Sequence, residues 1–67
     1  MMLSERVRQA WLSALDAHLR AAERHEACAS LWARLGDAVG AEREAARAAR
    51  ERSAHAAAVA QRPDWVR

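Results

Sequence analysis

The chain has 67 residues, which is enough for one domain and too few for two. Eleven arginines and no lysine stand against nine acidic residues for a formal net charge of +2, a mixed solvated surface rather than a polybasic arm. A single cysteine, Cys28, excludes an internal disulfide, and no run approaches the roughly 18 uninterrupted apolar residues of a membrane span.

The charge is spread evenly. Up to Asp37 five arginines meet five acids, residues 38–62 hold five arginines against three glutamates, and the last five residues cancel. Alanine dominates the apolar residues, and there is no Ile, Phe or Tyr, so the composition favours helix strongly. The Ala/Arg bias is that of GC-rich bacterial coding and carries no function. The opening residues Met-Met-Leu-Ser-Glu-Arg lack the apolar core and cleavage pattern of a signal peptide, so the expected location is the cytoplasm.

The spacing predicts a first helix over about residues 4–35. Ser4 is its expected N-cap, and Glu5 sits favourably in the first turn. Trp11, His18, His25 and Trp32 follow at strict seven-residue intervals, close to two helical turns, so they line one face. Large flat rings at one heptad position indicate a seam pressed against another helix. Leu12, Leu15 and Leu19 flank the seam, and Ala14, Ala21, Cys28 and Leu35 run beside it at the same period. Asp16 and Arg20 form a favourable i,i+4 pair on the outer surface. At about 1.5 Å per residue the helix extends for roughly 50 Å.

Gly36-Asp37 is the expected break. Glycine suits the left-handed residue just past a helix, and aspartate is a preferred N-cap for the next. The alternatives are a three-helix arrangement or one continuous helix through Gly36 and Gly40, the latter costing about 2 kcal/mol relative to alanine. The second helix is expected over about residues 38–61, with a small-residue seam of Ala45, Ala46, Ala49, Ser53, Ala56, Val59 and Ala60. Pro63 ends it, leaving residues 62–67 as a C-terminal clasp. Antiparallel pairing about this turn opposes residues whose numbers sum to roughly 75, bringing Trp65 and Val66 beside Trp11 and Val7.

The expected fold is therefore all-α, an antiparallel helical hairpin. A chain this short buries only about 60% of its unfolded surface, and an alanine helix covers large rings poorly. Two hairpins dimerising into a four-helix bundle solve both problems.

The segment Trp32-Ala33-Arg34-Leu35-Gly36-Asp37, followed at helical spacing by Ala45 and Ala49 and closed by Pro63-Asp64-Trp65, resembles part of a tetratricopeptide repeat. The match covers about half the chain. It departs from the family in a longer Gly-to-Pro interval, in Arg52 where a large apolar residue is usual, and in the presence of one unit. The resemblance implies a helical hairpin that docks on protein. The whole chain also resembles small Ala/Arg-rich helical hairpins of GC-rich bacteria.

Four residues could ligate metal: His18, His25, Cys28 and His55. His18 and His25 lie about 10.5 Å apart along one helix, too far for one ion, and the Glu-x-x-His pattern of di-iron bundles is absent. Packed, hydrogen-bonded imidazoles are the expectation. As neutral desolvated rings they make the fold more stable as pH rises; an acidic partner such as Glu26 or Glu51 reverses that slope. Arg43, Arg47 and Arg50 share one helical face that could track phosphates, but Glu44 and Glu51 sit among them. Cys28 has no third orienting group, and neither a phosphate loop nor a paired-carboxylate site exists, so no enzyme and no cofactor is expected.

The expected function is a non-catalytic protein-interaction or assembly module. Its partner-binding residues are Trp11, Leu15, His18, His25, Trp32 and Leu35, and its partners are a second copy and an unidentified protein. The alternatives are a nucleic-acid-associated helical protein and a metal-binding bundle. A fully buried Trp32 would cost about 3–5 kcal/mol on truncation to alanine.

Overall fold

The computed structural model describes residues 2–64, with side chains from residue 5 onward. Two helices, α1 (Met2–Arg34) and α2 (Ala38–Ala60), pack against each other as a hairpin measuring 53 × 19 × 11 Å. The helix runs through Ser4 and begins at Met2, which corrects Ser4 as the N-cap. Methionine and leucine are good helix formers, and no Gly or Pro precedes Ser4 to stop propagation. The clasp of Trp65 and Val66 against Trp11 and Val7 lies outside the described residues.

Three residues make the turn. Gly36 has φ +82°, a left-handed conformation that costs a side-chain-bearing residue energy. Its N–H donates to the Ala33 carbonyl at 3.1 Å, and the Asp37 N–H donates to Trp32 at 2.9 Å, so the last carbonyls of α1 are satisfied. The Asp37 carboxylate then accepts from the Gly40 N–H at 2.8 Å, capping α2. A Cβ at Gly40 would lie 3.0 Å from Asp37 Oδ2 and 3.1 Å from Trp32 Cγ. Glycine at that position lets the Trp32 ring close over the start of α2.

The inner face of α1 consists of Arg8, Trp11, Leu12, Leu15, His18, Leu19, Ala21, Ala22, His25 and Ala29, all buried or half-buried. The facing residues of α2 are Gly40, Ala41, Glu44, Ala48, Glu51, Ala54, His55 and Ala58. This corrects the seam expected on the second helix: Ala45, Ala46, Ala49, Ser53, Ala56, Val59 and Ala60 are all exposed. Two carboxylates face the imidazoles of α1, and that pairing turns the helix by about 100° from the all-small phase.

Among the described residues only Ala22, fully buried, and Ala48, 2% exposed, form a dry apolar core. Both are small, so they fill little space between the helices. Among the described residues no large side chain is fully buried.

Candidate interaction face

Each seam histidine is held by one carboxylate of α2. His18 Nδ1 lies 2.7 Å from Glu51 Oε2, and His25 Nδ1 lies 2.6 Å from Glu44 Oε2. Both pairs are seven residues apart on their own helix, so two identical contacts repeat along the hairpin. Their residue numbers sum to 69 rather than 75. The approach of the Trp32 ring to Gly40, whose numbers sum to 72, shifts from 75 in the same direction. His18 therefore takes Glu51 as its partner, where antiparallel numbering alone had placed it opposite residue 57. The rings are not the desolvated, acid-free imidazoles of one expectation: both are half-exposed and carboxylate-bound.

Glu44 is the most enclosed of these acids, its side chain 13% exposed. One oxygen meets His25, and the other accepts from the Arg47 guanidinium at 2.8 Å. The hydrogen bond with His25, reinforced by the charges of Arg47 and His25, holds its carboxyl below the usual carboxylate range although burial opposes this. Across one edge of the seam, Arg52 donates twice to Glu26, Nε at 3.0 Å and a terminal nitrogen at 2.7 Å. This bidentate pair lowers the Glu26 pKa and raises that of Arg52.

Of the residues expected to bind a partner, Trp11, Leu15, His18 and His25 are half-covered by α2. Trp32 remains 40% exposed and Leu35 67% exposed. Leu31 and Val39, also near the turn in sequence, are exposed as well. Arg43, Arg47 and Arg50 all lie on the exposed side of α2, but Arg47 is engaged by Glu44. Cys28 is exposed, on the same helix as His25. His55 is half-buried in the α2 seam. Among the described residues no group of three or more His, Cys, Asp or Glu side chains gathers for a metal ion.

Sequence reasoning named Glu51 as a possible acidic partner of the histidines, which His18 takes, but missed Glu44 and did not place either glutamate in the α2 seam. Their own seven-residue spacing, matching that of His18 and His25, was the available signal. Among the described residues no helix is long and apolar enough to cross a membrane. No protein-family model, curated protein or solved structure matches this chain, so its own geometry must carry the functional reading.

Proposed function

We propose that the chain is a non-catalytic protein-interaction and assembly module that self-associates, two hairpins packing into a four-helix bundle. The observation that carries this reading is the unfinished core. The accessible surface is 5084 Å², against roughly 4,200 Å² expected for a compact monomer of this mass. The rings that would normally fill a small core are covered on one side only. A second layer of helices completes their burial at no cost in new sequence.

The Trp/His/Leu side of α1 supplies the anchors, with Trp32 and Leu35 the most available. The resemblance to a tetratricopeptide hairpin supports the same reading, because such a unit buries its remaining apolar surface against neighbouring protein. Binding of nucleic acid through Arg43, Arg47 and Arg50 has less support, since Glu44 already neutralises the central cation.

Sedimentation equilibrium on the native chain tests the proposal. The expected result is the mass of two chains, falling toward one on dilution. A folded monomer at high micromolar concentration overturns it.

A further inference from the structure

The arginines of the hairpin divide by whether the fold uses their charge. Arg8, Arg20, Arg47 and Arg52 are paired with Glu5, Asp16, Glu44 and Glu26 in turn. Among the described residues, Arg24, Arg43 and Arg50 are exposed and pair with no carboxylate. Helical phase gathers these three on one flank. Glu26 reaches across the seam to Arg52, and that pair marks the other flank. Arg24 precedes Glu26 by two residues and Arg50 precedes Arg52 by two, each turned by about 200°, and Arg43 is turned from Arg52 by about 180°. The contacts of His18 with Glu51 and of His25 with Glu44 set Arg24 level with the stretch of α2 between Arg43 and Arg50.

The acids of α1 lie elsewhere. About Cys28, one turn after Arg24, Glu5, Asp16, Glu23 and Glu26 are turned away by roughly 120–160°. On α2 the neighbouring Glu44 already holds His25 and Arg47. Toward the turn the same two rows become apolar. Leu31 and Leu35 continue the row of Arg24 at i+7 and i+11, Val39 heads the row of Arg43 at i−4, and all three are exposed. The flank is thus cationic at mid-hairpin and apolar at the turn end, on both helices alike.

Resting on the protein-interaction reading above but not on self-association, we infer that this flank docks an acidic amphipathic helix of a different protein, whose carboxylates meet Arg24, Arg43 and Arg50 and whose apolar end seats on Leu31, Leu35 and Val39. Charge complementarity names the occupant. A guanidinium takes a carboxylate through two parallel N–H bonds, as Arg52 already does with Glu26 between the two helices of this chain. A second copy is a poor match, because its Glu5, Asp16, Glu26 and Glu44 are engaged by their own arginines. A nucleic-acid backbone would engage the cations alone and leave the three apolar side chains in water. With an acidic helix the cations set register and association rate, and the apolar end supplies the hold.

Fluorescence anisotropy with a labelled helical peptide of glutamate, leucine and alanine, patterned with one acidic and one apolar face, tests the flank. Saturable binding to the native chain is expected, weakened at least tenfold by raising salt from 50 to 500 mM and by exchanging every glutamate of the peptide for glutamine. The triple variant Arg24→Gln/Arg43→Gln/Arg50→Gln should weaken it at least tenfold and Leu35→Ser at least threefold, with helical content by circular dichroism unchanged. Arg34→Gln, outside the flank, should bind as the native chain does. No binding at about 100 μM, or an unchanged dissociation constant in the triple variant, overturns the inference. Equal binding of a scrambled peptide of the same composition, or tighter binding of a short DNA duplex, overturns it in favour of a plain polyanion site. Sedimentation equilibrium of the chain alone reads self-association independently. A monomer that binds the peptide overturns only the dimer, and a dimer that does not bind it overturns only this docking flank.

Discussion

Glu44 is the residue in which most of the hairpin's polar chemistry meets. It is contacted by His25 from the other helix and by Arg47 from its own, and the first of these contributes most to lowering its pKa. A carboxyl whose folded pKa lies below its unfolded value stabilises the fold fully above the unfolded value, ordinarily about 4.3 for glutamate. That stability is lost as pH falls through the folded value, because the unfolded chain then binds more protons. Glu26, lowered by Arg52, acts in the same direction. Urea midpoints should therefore fall as pH drops through the ordinary carboxylate range. His25→Gln removes the main cause at Glu44, so its side-chain carbon should titrate at higher pH by NMR, nearer an unperturbed glutamate. An unchanged Glu44 titration in His25→Gln would mean that the contact does not persist in solution.

At the level of elements, the two helices were legible because α1 has contrast: rings and leucines recur against a background of alanine and charge. The break was legible because Gly36 and Asp37 are chemically suited to end one helix and begin another. α2 has no such contrast. With alanine on every side, a seam drawn from small residues alone fits several phases equally well, and the glutamates that fix the true phase are easily assigned to solvent. The phase makes Ala48 critical. Ala48→Leu inserts three heavy atoms at a buried position of the seam, 2% exposed, and should cost about 1–3 kcal/mol by forcing the helices apart. Ala49→Leu, one residue on and exposed, should be nearly neutral, and chemical denaturation of the two variants side by side checks the phase. The glycines divide similarly. Gly36→Ala meets nothing within 4 Å, so its cost of about 1–2 kcal/mol comes only from the positive φ. Gly40→Ala gains about 1 kcal/mol of helix propensity. Its new methyl meets both the capping carboxylate, already fixed by a hydrogen bond, and the Trp32 ring. Loss of that cap costs about 1 kcal/mol before the ring is displaced, so the net change should be destabilising.

For the whole molecule, the distinguishing quantity is how stability depends on concentration. A lone hairpin has two buried alanines for a core and leaves Trp32 40% exposed, so Trp32→Ala should cost about 2 kcal/mol in the monomer rather than the 3–5 of full burial. Within an assembly that covers the ring the cost rises, because the substitution then removes contacts in both layers. Association also stabilises the folded chain by mass action, so the melting temperature of the native protein should climb steadily between about 5 and 500 μM. Trp32→Ala should melt lower than the native chain by a margin that widens with concentration, since only the associated form buries the ring fully. Circular dichroism melts across that range measure both effects in one series. A melting temperature independent of concentration, with a constant offset between the two proteins, would identify the hairpin as a self-sufficient monomer whose exposed rings serve no second copy.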